Sequence, residues 1–296
     1  MGTSFLPRLT QAANSVFVEC GNGESFVFDC GAGVIEKYVA MGVAYSRMDK
    51  IFLTHLHADH ESDLMFIYAF GPSTDRQTPL HVWGPTGDTT NDGVTYFCDT
   101  TKTITEWHRE SFSFLSTGLT NGLDGYDLVA HECPYELIGN LVYNSNGVRI
   151  THFPAIHDRD GAISFRLEWQ GIAMVFSGDS QPNTFMLNQA TNLDVLIHEV
   201  TLSPQVWAAK NGNLTPSLDP MYVQGVALAK TIQDCSHTPA KALGYMLSKL
   251  SNAAPRLAVA THCQFEDDTT NAVMTDIRSW YPGPVALVKD LQVITI

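Results

Sequence analysis

The chain has 296 residues, 44% of them hydrophobic, and carries 17 basic against 31 acidic side chains, a formal net charge of −14. That length and apolar content suit one large α/β unit with a sizeable core. No apolar run approaches the roughly 20 residues a spanning helix needs, so the expectation is a soluble protein without a membrane partner, and the acidic balance argues against nucleic acid, which requires a basic footprint.

Residues 15–20 (SVFVEC) and 25–30 (SFVFDC) read as two strands of a hairpin joined through a Gly-Asn-Gly turn. Gly31-Ala32-Gly33 then opens a helix running to about Met41. Ile51–Thr54 is the next strand, and His81–Trp83 is a short one stopped by Gly84-Pro85. Residues 86–140, rich in Thr, Asn, Asp and Gly, break the rhythm. They read as an insertion, a lid or dimer surface, with a helix near 103–116 and with His108 and His131 in surface roles. Strand character returns at 141–143, 148–153, 164–169, 172–176 and 193–197. A second interruption, 203–232, holds one helical run from about Met221. A helix from Pro239 to about Leu250 leads to strand 257–261, and 286–288 and 292–296 close the chain as strands. The whole, 1–296, reads as one domain with those two insertions.

The six cysteines form no C-x-x-C pair, so no cysteine zinc knuckle is expected. Cys20 and Cys30 belong to strand-like runs and to the core; Cys98 and Cys133 are candidates for a disulfide if the protein is exported. No signal sequence is recognisable, and the location of the protein stays open.

The stretch Thr54-His55-Leu56-His57-Ala58-Asp59-His60 packs three imidazoles and a carboxylate between a strand and a helix. One histidine there would pass for an ordinary polar residue; three with an aspartate at H-x-H-x-D-H spacing point to a borderline transition metal, zinc first, with manganese or iron as substitutes. Three later strands also end in ligand-type residues: Asp179, Glu199 and His262. His157, in the loop AIHDRDGA, reaches the same sheet edge. One histidine-rich cluster with remote Asp and His residues suggests two metals bridged by a carboxylate.

At this point the chain resembles the metallo-β-lactamase fold superfamily, and within it the branch of ribonuclease Z and the zinc-dependent arylsulfatases. The 55–60 stretch is similar to the superfamily signature, Phe28-Asp29-Cys30-Gly31-Ala32-Gly33 to the preceding D-x-G-x-G segment, and Ser177-Gly178-Asp179 to the segment of the bridging aspartate. Ile197-His198-Glu199-Val200-Thr201 resembles a His-Glu-Ala-Thr box with Val for Ala, Ser236-His237-Thr238 a second histidine box in altered order, and Ala260-Thr261-His262 the last ligand. The resemblance implies a four-layer αββα fold, two mixed sheets between helices. It further implies one zinc on His55, His57 and His157, a second on Asp59, His60 and His262, and Asp179 between them. His152, on an alternating strand, is the rival of His157. Asp59 would double as ligand and orienting base, and His237, oriented by Glu199, would protonate the leaving group. Asp29 is expected to tie the site loops together and His198 to be structural. Arg159 is a weak candidate for an anionic substrate, and Trp107, Trp207, Tyr222 and Phe265 are candidates for an apolar pocket.

Members of this branch that process transfer RNA carry a long arm between the His157-type ligand and the bridging aspartate. Here His157 and Asp179 are 22 positions apart, filled by two strands. Together with the net charge, this leads to the expectation of a dinuclear zinc hydrolase of small anionic esters, aryl sulfates or phosphodiesters, with no nucleic-acid partner and a homodimer possible. A lactonase or β-lactamase, a ribonuclease Z-type endonuclease and a non-catalytic metal-binding protein are the alternatives. Met1-Gly2-Thr3 falls where the family places its first turn, so the first strand is expected to be missing or very short.

Overall fold

The computed structural model describes residues 3–112, 124–210, 212–216, 218–250 and 254–296. Its first sheet begins with the antiparallel hairpin β1 (Val16–Glu19) and β2 (Ser25–Phe28). Parallel strands β3 (Lys50–Phe52), β4 (Leu80–Pro85) and β5 (Leu128–Cys133) extend it, in the spatial order β1-β2-β3-β4-β5. The second sheet holds β6 (Asn140–Ser145), β7 (Val148–Pro154), β8 (Ile163–Trp169), β9 (Ile172–Phe176), β10 (Val195–Glu199), β11 (Leu257–Thr261) and β12 (Val285–Leu287), in the order β12-β11-β10-β9-β8-β7-β6. From β6 to β9 it is an antiparallel meander, and from β9 to β12 it is parallel.

These strands are apolar on both faces because both faces are covered. In β2, Phe26 and Phe28 point toward the second sheet and Val27 toward the helices, the period-2 alternation of a pleated strand. The seam between the sheets is aromatic. Phe52 stacks on Phe28 and Trp83 with centroids 5.3 and 4.6 Å apart, and meets Phe165 of β8 edge-on. Phe28, Phe52, Phe165 and Phe176 are fully buried, each contributing on the order of 1.5–3 kcal/mol through burial.

Helices α1 (Val34–Ala40), α3 (Leu64–Thr74) and α4 (Val94–Ile104) cover the outer face of the first sheet through Val34, Tyr38, Leu64, Ile67, Tyr68 and Val94. Between α1 and α3 lies the short α2 (Ala58–Glu61), and α5 (Glu106–Ser111) follows α4. Helices α6 (Thr184–Gln189), α9 (Ala240–Lys249) and α10 (Asp267–Arg278) cover the second sheet through Met186, Leu243, Leu247 and Ile277. Helices α7 (Pro204–Lys210) and α8 (Tyr222–Ser236) lie in the segment between β10 and α9. The order of layers is helix, sheet, sheet, helix, the αββα arrangement expected from the resemblance.

Several local expectations are corrected. The stretch 86–140 is not simply an appendage: β5 within it pairs with β4 over six positions and completes the first sheet. A helix near 103–116 is replaced by α4 and α5, and residues 113–116 lie outside those described. Residues 292–296 form no strand. Cys98 and Cys133 are free thiols in different cores, Cys98 between sheet and helices and Cys133 between the sheets, so the disulfide does not form. His131 is half-buried rather than superficial: it stacks on Trp83 and sits 2.9 Å from His81 Nδ1. His108 Nε2 donates to the Ala69 carbonyl at 2.9 Å and pins α5 to α3. No helix among the described residues is long and apolar enough to cross a membrane.

Candidate metal centre

The parallel register of the second sheet assembles one half of the site. Glu199 pairs with Thr261, so β10 and β11 end level, and Ile197 pairs with Phe176, so β9 ends two residues earlier and Asp179, three positions on, reaches the same edge. Asp179, Glu199 and His262 therefore come together from remote parts of the chain. The other half is the single turn from β3 into α2, which carries His55, His57, Asp59 and His60. Gly178 lets the two halves meet. Its φ is +58°, and a Cβ there would lie 2.5 Å from the Thr54 Cβ, so the turn before Asp179 requires glycine on both counts. Asp29 and His262 are non-glycine residues with φ of 55° and 62°, left-handed conformations held by the packing around the site.

Two groups of donors result. His55 Nε2 and His157 Nε2 each lie 3.1 Å from His57 Nδ1. His60 Nε2 lies 3.3 Å from His262 Nε2 and 3.4 Å from Asp59 Oδ2, while His262 Nε2 lies 3.1 Å from the same Asp59 oxygen. Asp179 addresses both groups with different oxygens. Its Oδ1 is 3.3 Å from His60 Nε2 and from His262 Nε2, and its Oδ2 is 3.9 Å from His55 Nε2 and 3.8 Å from His157 Nε2.

The tautomers explain what such an arrangement needs. His157 Nδ1 donates to the Ser236 carbonyl at 2.8 Å, and His60 Nδ1 donates to Asp29 Oδ2 at 2.7 Å. His55 Nδ1 donates to Thr54 Oγ1 at 3.1 Å, because that hydroxyl is itself spent on Asp29. In each of these rings the outward nitrogen is held by a protein acceptor, so Nε2 is the atom that faces inward, where it offers a lone pair to a metal ion once its proton is displaced. Imidazole Nε2 atoms and two carboxylates converging at these separations need positive charge between them, supplied by protons or by metal ions, so the donor set fits divalent metal ions. All the contributing atoms of each group lie within 4.8 Å of one another.

The ionisation of the groups reflects the same crowding. Burial pushes the Asp179 carboxyl up, but the imidazoles of His262, His60 and His55 override it and hold it well below the usual carboxylate range. Burial lowers His60, yet Asp179 and Asp29 raise it well above the ordinary imidazole value. For His55 burial wins, joined by repulsion from His60, and the ring stays neutral.

A third set of donor atoms, from Asp179, Glu199, His237 and His262, overlaps the second group, and within it Glu199 and His237 pair with each other as a dyad. Both Glu199 oxygens accept from His237 Nδ1, at 3.1 and 2.9 Å. Glu199 is buried and fixed by the Ser180 amide, which donates to it at 2.6 Å. Burial disfavours the charged ring, but Glu199 and Asp179 outweigh it and raise the His237 pKa to about 9. With Nδ1 committed to Glu199, the exchangeable proton of His237 is the one at Nε2. Ser236, the residue before it, also supplies the carbonyl that orients His157 and donates through Oγ to Asp158. His198 is buried, with Nδ1 donating to the Glu199 carbonyl at 2.7 Å.

A cavity of about 270 Å³ opens onto His57, Asp59, Asp179, His237 and His262. Of the four candidates for an apolar pocket, for each of which ordinary packing is the better reading from sequence, Trp207 lines the cavity, whereas Trp107 is 80% exposed elsewhere and Tyr222 and Phe265 are not part of its wall. Phe5 and Leu6 line it without having been anticipated, because a short apolar run near the start of a chain carries no periodic signal. The Ser236 carbonyl escaped for another reason: a backbone acceptor leaves no trace in residue type. Arg159 does not turn toward the cavity; its guanidinium is paired with Asp92 at 2.6 Å and with Asp88. His152 lies outside both donor groups, buried in β7, where its Nε2 accepts from the Asn140 amide at 3.1 Å. Another hollow, between α1 and α3, presents Glu36 and Asp63 but no histidine.

Fold and donor set together define a metal-dependent hydrolase scaffold. The sequence profile of the beta-lactamase superfamily domain matches residues 24–263, and the chain belongs to that superfamily. Curated relatives named ribonuclease Z are similar to it. One from Mycolicibacterium gilvum is 28% identical over 211 residues, covering 68% of this chain and 67% of the relative. One from Mycobacterium marinum is 29% identical over 214 residues, covering 68% of each. Among solved structures, human tRNase Z, short form, superposes with a TM-score of 0.62 at 19% identity, over 100% of this chain and 97% of the other. The metallo-beta-lactamase fold protein YhfI from Bacillus subtilis gives 0.65 at 16% identity, over 98% and 94%. These superpositions establish the shared fold.

The relatives correct one expectation. They carry the name of a ribonuclease, so the grounds on which nucleic acid was excluded do not hold. Net charge is a poor guide here for a physical reason. Asp29, Asp59, Asp179 and Glu199 cluster with the imidazoles of His60, His237 and His262, which offset them, and a total says nothing about the field at one cavity.

Proposed function

We propose that the protein is a zinc-dependent phosphodiesterase whose two metals are held by His55, His57 and His157 and by Asp59, His60 and His262, with Asp179 shared between them. The observation that carries this reading is the Glu199–His237 dyad standing next to a carboxylate that faces both donor groups with separate oxygens. When bound, divalent ions supply Lewis-acid polarisation of the phosphoryl oxygens and a lowered pKa for a bound water.

The protein's own groups do the rest. Asp59 receives the proton of the attacking water at its free carboxylate edge. Asp29 keeps the His60 ring in the orientation its task requires. His237 delivers the proton at Nε2 to the departing ester oxygen, and Glu199 stabilises the ring as it loses and regains charge. This acid is superfluous for a leaving group that departs readily as an anion and valuable for an alcohol, which favours ordinary phosphodiesters, those of nucleotides included. Relatives named ribonuclease Z and a structural neighbour titled a diphosphatase of the PhnP family, with a TM-score of 0.54, support phosphorus as the attacked atom. Aryl sulfates share the charge and shape of the substrate and form the second arm of the test.

The zinc-loaded protein and its Asp179→Ala variant are to be assayed on bis(4-nitrophenyl) phosphate, a short RNA, 4-nitrophenyl sulfate, nitrocefin and an acyl lactone. Turnover of a phosphodiester that disappears in the variant is the expected result. Hydrolysis of the lactam or lactone with both phosphodiesters inert would overturn the proposal.

A further inference from the structure

The cavity beside the donor groups has an apolar wall that no step of the hydrolysis uses: Phe5, Leu6, Leu202, Trp207 and Ile232. Phe5 and Leu6 belong to the segment before β1, and Trp207 to α7, elements that the chain order keeps far apart. The Glu266 carboxylate joins them. It accepts from Arg8 Nη1 and, at 2.5 Å, from Lys210 Nζ, while Lys210 also reaches Asp268 at 2.8 Å. The same segment is stitched to the turn that carries His262. The Cys263 amide donates to the Thr3 carbonyl at 2.9 Å, and Gln11 Nε2 donates to Thr3 Oγ1 at 3.1 Å and to the Cys263 carbonyl at 3.3 Å. The Phe5 ring lies 6.0 Å from the ring of His262.

Leu6 is 52% exposed and Trp207 only partly covered, yet both are held by charge pairs on neighbouring residues rather than left free. An apolar surface fixed in advance beside a reaction centre binds a matching apolar group at low entropic cost. We infer that Phe5, Leu6 and Trp207 select esters that carry a flat apolar ring, and that Glu266 is the positioning residue that sets the distance between the two sides of this wall. The inference rests on the phosphodiesterase reading for the nature of the anion. The ring of an aryl ester and the base of a nucleotide share the required chemistry.

The test measures binding by calorimetry, so it does not depend on turnover. The zinc-loaded full chain is titrated with phenylphosphonate against methylphosphonate, and with adenosine 5′-monophosphate against ribose 5-phosphate. The ring-bearing member of at least one pair is expected to bind about tenfold more tightly, the effect of burying one ring face. Which pair shows the larger ratio separates the aryl from the nucleotide source. Trp207→Ala is expected to remove most of that preference while leaving methylphosphonate or ribose phosphate within about twofold, and Trp207→Phe to restore it. Glu266→Gln, which keeps a capping side chain ahead of α10 but drops the charge, is expected to lower the ratio about threefold. Equal affinity within both pairs would overturn the inference, as would a preference that survives in Trp207→Ala with an unchanged melting temperature. A ring preference in a protein that cleaves no phosphodiester leaves the wall standing and removes the phosphodiesterase reading instead.

Discussion

The two halves of the donor set are built on different plans. His55, His57, Asp59 and His60 come from one turn at the end of β3, whereas Asp179, Glu199 and His262 come from three strand ends brought level by parallel pairing. The first half depends on local backbone conformation and on Asp29, which ties Thr54 and His60 together from behind. The second half depends on sheet register, so a disturbance anywhere along β9, β10 or β11 reaches it. Asp179 is the point where the two plans meet, and it is the only residue whose side chain faces both donor groups through separate oxygens among those described.

The most severe way to break the comparison is to remove that meeting point. Asp179→Ala is expected to lose both metals together and to lower kcat by at least about 10³-fold, whereas His55→Ala is expected to weaken the first metal and spare the second. Metal content by mass spectrometry and activity in excess zinc decide this; loss of a single metal in Asp179→Ala would show that the halves are independent.

A smaller effect is expected from the dyad, whose atoms overlap the second donor group through Asp179 and His262 but pair with each other. His237→Ala should retain metal and lose on the order of 10²–10⁴ in kcat on a diester with an alcohol leaving group, with a much weaker effect on a nitrophenyl ester. An equal loss on both substrates would argue that His237 does not donate a proton.

Smaller again is the support behind the first half. Asp29→Asn keeps the shape but weakens the grip on His60 and Thr54, and metal affinity is expected to fall roughly 10–100-fold. The loss should concentrate in the metal held by His60, which competition with a chelator indicator can resolve from the other.

The histidine outside both halves provides the contrast. His152 is buried with only the Asn140 amide on its ring, and burial lowers its pKa to about 4 from an ordinary 6.5. Below 6.5 the unfolded chain takes up a proton that the native protein refuses, so stability falls as pH drops from about 6.5 to about 4, by on the order of 3 kcal/mol from this group, and is unaffected by it at higher pH. Urea midpoints across that range should show the slope, and His152→Gln should flatten it.

How much of this was legible in the sequence follows the same division. The 55–60 turn is local, so its residue spacing is its geometry, and it can be read directly. Asp179, Glu199 and His262 could be named as strand ends converging on one sheet edge, but the pairing that brings them level is non-local, and their division into two ligand sets came only from the family resemblance. β5 was missed because its apolar run sits inside a Thr- and Asn-rich stretch, and its partner β4 is more than 40 positions away. Residues 292–296 alternate like a strand but find no neighbouring edge to pair with. Arg159 had the right charge and the wrong surroundings: two aspartates of the 86–93 loop reach it before any substrate does. Phe5, Leu6 and Glu266 became visible only in three dimensions, because what they do depends on a cavity that no stretch of the chain forms alone.

The position of Ser236 has one more consequence. Its carbonyl fixes His157 and the very next residue is His237, so one peptide unit at the end of α8 sets the pose of the proposed metal ligand His157 and of the proposed proton donor at once. The two cannot drift apart. A shift of that helix end would misplace both together, and a variant there should lose metal grip and proton delivery in proportion, as two readings of a single displacement. The helix end is a calibration point for the whole centre, and slow motion at that one peptide, followed by hydrogen exchange of the His237 amide, would report the fraction of molecules in which the centre is assembled.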